Sequence, residues 1–137
     1  MNRAEKRRNK KLAGKGAKTT KPIPVSSPML AEQEQIRSIQ QALDFAIQHH
    51  EAGDLPKAEG IYHQILQAYP NQPIALHFLG LIAHQLGKND IALDLMSKAL
   101  AIKPDYANAH SNLGNTLFEL GRLDEAVTSY NKAITIN

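Results

Sequence analysis

The six histidines are the residues of this sequence whose chemistry can be tested from spacing alone. His77 and His84 are seven residues apart, so on one helix they share a face but lie about 10 Å apart along its axis. One metal ion cannot reach both from a single helix. His49 and His50 are adjacent, and their side chains diverge by about 100° around a helix. Because no His-x-x-x-His or Glu-x-x-His pair is present, no metal site is predicted.

Histidine also titrates near neutral pH. Three of the histidines, His50, His77 and His84, lie at positions to which the family resemblance described below assigns a groove. The hypothesis is that affinity for a partner changes between about pH 8 and 6 through these side chains.

Nucleophilic and phosphate-binding motifs would also be visible in the spacing. The sequence contains no cysteine, which excludes a thiolate zinc site and a disulfide framework. It has no Gly-x-Ser-x-Gly elbow, and Gly14-Lys15-Gly16 lacks the spacing and the preceding strand of a phosphate loop. No catalytic residue and no cofactor are therefore predicted, and the chain is not expected to be an enzyme.

Charge divides the chain into two parts. Residues 1–21 hold nine Lys or Arg and one acidic residue, a net charge of +8. Residues 22–137 hold seven basic and twelve acidic residues, a net charge of −5. The basic tail is interpreted as a solvated terminus. The alternative is weak contact with nucleic acid or an anionic membrane through residues 3–21.

Residues 1–28 are predicted to form a disordered basic tail followed by a linker. Residues 1–20 contain too few large apolar side chains to offset the entropy of ordering. Residues 21–28 contain three prolines, which favour an extended chain. No apolar run reaches the roughly 20 residues that span a bilayer, and no apolar segment follows the basic start as in a secretory signal. A cytoplasmic protein is predicted.

The rest of the chain has helical periodicity. Ser27 followed by Pro28 is a helix-start signal, because a hydroxyl cap precedes a proline at the first helical position. Glycines and prolines then divide the region into six segments. The predicted helices are 29–52, 55–68, 73–86, 89–102, 107–120 and 123–136.

A 34-residue internal period organises these helices. A glycine recurs where the first helix of each pair ends, because a left-handed conformation costs glycine little. An alanine recurs in the second helix, where a small side chain lets two helices approach closely. The recurring positions are Gly53, Gly87 and Gly121; Ala58, Ala92 and Ala126; Tyr62, Met96 and Tyr130; Leu66, Leu100 and Ile134; and Pro70 and Pro104.

This pattern resembles the tetratricopeptide repeat. The family's Leu-Gly pair appears as Leu79-Gly80 and Leu113-Gly114, and Phe45-Ala46 takes its place in the first unit. The resemblance implies an all-α, right-handed α-solenoid of about three helix-turn-helix repeats. The implied domains are 1–28 as tail and linker and 29–137 as the repeat domain, with repeats at about 39–72, 73–106 and 107–137.

In this family the first helices of the pairs line a concave groove that holds an extended or helical peptide. Four positions of each first helix usually face the groove, and an asparagine at a fifth grips the peptide backbone. The resemblance implies groove residues at Gln40, Leu43, Ile47, His50, Ile74, His77, Leu81, His84, Asn108, Ser111, Asn112, Asn115 and Phe118. For Leu43, Ile47 and Leu81 the alternative is packing against the neighbouring chain.

The resemblance also bears on the partner. The clamp of Lys and Asn that binds chaperone tails is absent, since Leu43, Asp44 and Ile47 occupy its positions. The stretch 109–126 is similar to repeats in the arm of O-GlcNAc transferases. The predicted function is a protein-interaction module that binds a peptide or partner segment in its groove. The alternative is the substrate-presenting arm of a larger glycosyltransferase.

The last helix ends without the polar capping helix that closes such arrays. Val127 and Ile134 are therefore expected to have an uncovered face. Two interpretations stay open: the sequence is the first part of a longer protein, or this helix mediates self-association.

Overall fold

The computed structural model describes residues 28–137. Residues 1–27, which hold the predicted basic tail and nearly all of the predicted linker, lie outside the described residues. Contacts separate the described residues of the chain into 28–38 and a second unit, Ile39–Asn137. The second unit begins at the residue that the 34-residue period sets as the start of the first repeat, and its architecture is described below.

Six helices make up the described part of the chain, which contains no strand. The number of helices is as predicted, and every predicted end is within one residue of the observed one. Pro28 is the first residue of α1, as its position after a serine predicts. The helices are α1 (Pro28–Glu51), α2 (Leu55–Ala68), α3 (Pro73–Gln85), α4 (Asn89–Ile102), α5 (Ala107–Glu119) and α6 (Leu123–Ile136).

The turn inside each helix pair repeats in backbone detail. Gly53, Gly87 and Gly121 have φ values of 86°, 79° and 78°, which a residue with a Cβ adopts at a cost. The residue after each glycine donates its N–H to the carbonyl five residues earlier, which closes the end of the first helix. These bonds are Asp54 to His49 at 2.9 Å, Lys88 to Ala83 at 2.8 Å and Arg122 to Leu117 at 2.9 Å.

Small residues bring the two helices of each pair into close contact. The repeated alanines, Ala58, Ala92 and Ala126, are all buried. The glycines of the Leu-Gly pairs have a similar role. A Cβ on Gly80 would lie 2.9 Å from Met96 Cγ, and one on Gly114 would lie 2.7 Å from the Tyr130 ring. Met96 of α4 and Tyr130 of α6 therefore pack directly on the backbone of the first helix of their pair.

The pairs then stack into a solenoid. Within residues 39–137, α3 contacts α5 directly, whereas an open cleft of about 790 Å³ lies between α4 and α6. The first helices are thus closer together than the second helices, and the stack curves with the first helices on its inner side. The described residues form the all-α, right-handed solenoid of three repeats that the sequence predicts. No helix among residues 28–137 has the length and apolar character needed to span a bilayer.

Candidate functional site

The inner side of the solenoid is formed by three first helices that lie side by side: residues 39–51 of α1, all of α3 and all of α5. We call this surface the first-helix wall. Neighbouring helices of the wall are linked by contacts between side chains that are 35 residues apart in the sequence, which is one repeat plus one residue. Each such contact therefore joins nearly equivalent places on adjacent helices.

One such contact occurs twice. His50 Nε2 lies 2.9 Å from Gln85 Oε1, which links α1 to α3. One repeat later, His84 Nε2 lies 3.7 Å from Glu119 Oε2, which links α3 to α5. In the first pair the uncharged amide oxygen of Gln85 accepts from the imidazole N–H of His50. The second pair places a carboxylate beside the imidazole, so its attraction depends on the charge of His84.

His84 belongs to a wider polar cluster at the same end of the wall. Its Nδ1 lies 3.0 Å from Asn89 Oδ1 and 3.4 Å from Thr116 Oγ1. Asn89 Nδ2 donates to Glu119 Oε1 at 3.4 Å. Thr116 also donates to the carbonyl of Asn112, one turn earlier in α5. These bonds fix the orientation of a side chain that is half-buried on the wall.

A second type of contact changes character along the wall. His77 Nε2 lies 2.8 Å from Asn112 Nδ2, which joins α3 to α5. One repeat earlier the equivalent residues are Leu43 and Phe78, and both belong to or pack on the main apolar core. The junction between the first two repeats is therefore apolar at this level, and the junction between the last two is hydrogen-bonded.

The His77 imidazole is held at both nitrogens. Asn112 Nδ2 is a donor, so His77 Nε2 accepts and Nδ1 carries the proton, which is donated to the Tyr106 hydroxyl at 2.9 Å. Burial, and to a lesser extent the nearby His50, lower the pKa of His77 to about 4. Burial also raises the pKa of Tyr106 to about 12. Both rings are thus neutral at physiological pH, and they tie the loop before α5 to the middle of α3.

The predicted groove residues divide into three groups by exposure. Asn108, Asn115 and Phe118 are exposed, and the Phe118 side chain is 60% exposed. Half-buried positions on the wall are Ile47, His50, Leu81, His84, Ser111 and Asn112. Among the additional positions of the sequence analysis, Gln40 is exposed and Ile74 is half-buried.

Leu43 and His77 form the third group, and for them the prediction is wrong. Leu43 is 5% exposed and belongs to the apolar core, which is the alternative that the sequence analysis left open. His77 is 2% exposed and has both ring nitrogens occupied. Because its pKa is near 4, His77 does not titrate between pH 8 and 6, and the pH hypothesis does not extend to it.

Sequence reasoning did not identify Tyr106, Gln85 and Glu119, although each orients a histidine of the wall. Gln85 and Glu119 lie one residue beyond the position expected to face the groove. A search for polar pairs separated by one repeat plus one residue would have found them, because equivalent positions of stacked repeats lie side by side.

The charge of the wall is acidic. Among the described first-helix segments 39–51, 73–85 and 107–119, none contains Lys or Arg. Their charged residues are Asp44, Glu51 and Glu119, and all three are exposed. Among residues 28–137, no group of three or more His, Asp or Glu side chains is arranged to hold a metal ion. The wall can therefore offer apolar contacts, amide and imidazole hydrogen bonds and negative charge.

Comparison with known proteins agrees with this architecture. Residues 71–137 match the tetratricopeptide repeat family. The chain is similar to small glutamine-rich tetratricopeptide repeat-containing protein 2 of Mycosarcoma maydis, with 33% identity over 86 residues, which are 63% of this chain and 24% of that protein. The chain spans about a quarter or less of the length of the curated relatives that it matches first.

Solved structures give the same result. An O-GlcNAc transferase of Thermobaculum terrenum superimposes with a TM-score of 0.72 and 31% identity, over 74% of this chain and 20% of that chain. The second tetratricopeptide repeat domain of Spaghetti (RPAP3), bound to the HSP90 peptide SRMEEVD, superimposes with a TM-score of 0.70 and 16% identity, over 78% of this chain and 99% of that chain. The 34-residue period, the six-helix stack and these matches together show that the chain carries tetratricopeptide repeats, and the family match itself covers residues 71–137.

Proposed function

We propose that this protein is an interaction module whose first-helix wall binds a peptide segment of a partner protein. The observation that carries the proposal is the row of accessible side chains that runs across all three first helices. Phe118 provides an exposed apolar contact, and the half-buried Ile47 and Leu81, which also pack on the protein's own apolar clusters, add their accessible parts. Asn108 provides an amide group, and Asn115 provides its Nδ2 donor, because its Oδ1 already accepts from the Tyr130 hydroxyl. An extended peptide needs both, because its side chains require apolar pockets and its backbone requires hydrogen-bond partners.

The charge of the wall selects among peptides. Asp44, Glu51 and Glu119 are not balanced by any Lys or Arg on the first-helix segments of residues 39–137. An acidic peptide or a terminal carboxylate would meet repulsion and no cationic partner. The proposed guest is therefore a neutral or basic segment bound along its length. This differs from the acidic HSP90 peptide held by the RPAP3 domain, whose likeness to this chain is one of fold.

Selection from a random peptide library displayed on phage, with the full chain as bait, tests the proposal. We expect enrichment of neutral and basic peptides. Replacing the three wall acids by alanine (Asp44, Glu51 and Glu119) should weaken binding of a selected basic peptide roughly fivefold or more at low salt. The matched control removes three exposed acids outside the first helices, Asp90, Asp94 and Asp105, and should leave the affinity unchanged.

An apolar pair of variants tests the same wall without changing charge. Phe118→Ser should weaken the selected peptide, whereas Ile91→Ser, a similarly exposed apolar residue on α4, should not. Enrichment of acidic peptides, or equal effects of the wall and control variants, would contradict the proposal.

A second candidate function is that of an arm that presents protein substrates to a larger glycosyltransferase. The 31% identity to the O-GlcNAc transferase of Thermobaculum terrenum supports it. In this case the chemistry would belong to sequence beyond residue 137. Sequencing the transcript past that codon, followed by an assay of glycosyl transfer by the full-length product, decides between an arm and a free-standing module. A non-catalytic role for residues 28–137 is common to both candidates, and the cytoplasmic location stays a prediction.

Two further contacts are proposed as minor partners. Contact with nucleic acid or an anionic membrane would use residues 3–21, which lie outside the described residues, and would weaken steeply as salt is raised. Self-association would use α6, where Val127 and Ile134 are 56% and 72% exposed. Light scattering that gives a strict monomer at high protein concentration would contradict self-association.

A further inference from the structure

A second cavity lies on the opposite side of the solenoid from the first-helix wall. It is the cleft of about 790 Å³ between α4 and α6, with the first half of α5 as its floor. Leu100, Leu113 and Ile136 give it apolar walls, and Ser129 and Lys132 add polar groups. We call it the outer cleft. None of the predicted groove residues lines it, so its occupant would not compete directly with a peptide bound to those residues.

The preceding repeat differs at two residues that line this cleft. One repeat before His110 and Ser129, the equivalent positions hold Leu76 and Leu95. Leu76 is buried, and Leu95 packs on the main apolar core. The histidine and the serine that replace these two leucines give the lining of the outer cleft its polar character.

His110 carries an unsatisfied acceptor at the floor of the outer cleft. Its Nε2 lies 2.8 Å from the carbonyl oxygen of Pro104, and a carbonyl can only accept, so Nε2 carries the hydrogen. In the neutral ring Nδ1 is then a lone-pair acceptor. This atom is buried and has no hydrogen-bond partner, and the residue is only 8% exposed. An unpaired buried polar atom is unfavourable, so a donor group that reaches Nδ1 through a small movement of the cleft lining gains a hydrogen bond there.

We propose that the outer cleft is a binding site for an aromatic group that carries an O–H or N–H donor, such as a phenol or an indole. The ring would lie between Leu100, Leu113 and Ile136, and its donor would bond to His110 Nδ1. Tyrosine and tryptophan side chains of a partner protein have this chemistry, and so do free phenols and indoles. Aromatic groups of this kind have one apolar body and one polar edge, as the cleft requires.

The test uses the full chain and two probes that differ by one donor, p-cresol and toluene. Titrations are followed by the ring nitrogens of His110 and the methyl groups of Leu113 and Ile136 in NMR spectra. We expect p-cresol to shift the Nδ1 resonance of His110 and to bind at least about tenfold more tightly than toluene. N-acetyl-tyrosine amide is the third probe: tighter binding than p-cresol identifies a protein side chain as the occupant, and weaker binding identifies a free phenol.

Two variants that copy the preceding repeat test the assignment. His110→Leu removes the acceptor and restores the residue found at Leu76, so the fold should persist while p-cresol affinity falls at least about tenfold. Ser129→Leu copies Leu95 and should block the cleft from α6. The matched control, His63→Leu on the exposed face of α2, should leave binding unchanged. Equal affinities for p-cresol and toluene, no binding of p-cresol to the wild type, or full binding to His110→Leu would overturn the proposal.

Discussion

The two junctions between successive repeats use the same backbone geometry and different chemistry. At the first junction, Leu43, Phe78 and Leu95 belong to or pack on the main apolar core. At the second, the equivalent positions hold His77, Asn112 and Ser129. One junction is thus stabilised chiefly by apolar burial, and the other is specified by hydrogen bonds and leaves an open cleft. A repeat protein can therefore place polar sites at one junction while its neighbour provides stability.

The largest effect expected from this contrast is on the apolar junction. Leu43→Ala removes a buried side chain whose surroundings are themselves well packed, so we expect a loss of about 2–5 kcal/mol in the free energy of unfolding. Chemical denaturation followed by circular dichroism measures it. Asp44→Ala, at the next residue and exposed, is the control and should change the stability by less than about 0.5 kcal/mol. Similar losses for the two variants would show that the first junction is not apolar in its energetics.

The polar junction should make stability depend on pH. The pKa of His77 is about 4 when folded and near its ordinary value of 6.5 when unfolded, so between these values only the unfolded chain binds the proton. Stability from this residue is therefore complete above pH 6.5 and declines as the pH falls to about 4, by up to roughly 3 kcal/mol. Denaturant midpoints measured from pH 7 to 4 report it. A flat profile over this range would contradict the buried, neutral state of His77.

Replacing the polar residues of the second junction by the apolar residues of the first compares the two junctions directly. His77→Leu alone leaves Asn112 and Tyr106 without their buried partner and should cost about 1–3 kcal/mol. The double variant with Asn112→Phe recreates the pair found at Leu43 and Phe78. It should recover about 1 kcal/mol or more relative to the sum of the single changes.

The same double variant is the control for the pH experiment, because it removes the titrating group. Its stability should lose the decline between pH 6.5 and 4. Additive effects of the two substitutions would show that His77 and Asn112 are not coupled.

The smallest effect on stability is expected at the histidine contact that occurs at both junctions. Glu119→Gln converts the contact of His84 with Glu119 into the amide contact seen between His50 and Gln85. Because Glu119 is exposed, we expect a change in unfolding free energy below about 0.5 kcal/mol, which a thermal melt at pH 7 can test. A larger loss would mean that the two histidine contacts are not equivalent.

Features that depend on residues close in the sequence were predicted more accurately than features that depend on contacts between repeats. Glycines at 53, 87 and 121 end helices through their own backbone conformation, so the helix limits could be read to within one residue. The groove positions were placed by resemblance, and their role in binding a partner stays a prediction. Leu43 and His77 were wrongly assigned to the groove. Their burial depends on residues one repeat away, which the local periodicity of the sequence does not reveal. Val127 and Ile134 are exposed, as the sequence analysis expected.

The sequence by itself determined the number of helices, their limits and the 34-residue period, because each depends on short-range backbone preferences and the spacing of small and apolar residues. The tertiary structure decided which histidine side chains are enclosed and which of their ring nitrogens have a partner. His77 is enclosed by Tyr106 and Asn112, His84 faces Glu119, and His110 has one nitrogen bound to Pro104 and the other unpaired. Each of these states is set by a group brought close only when the helices stack.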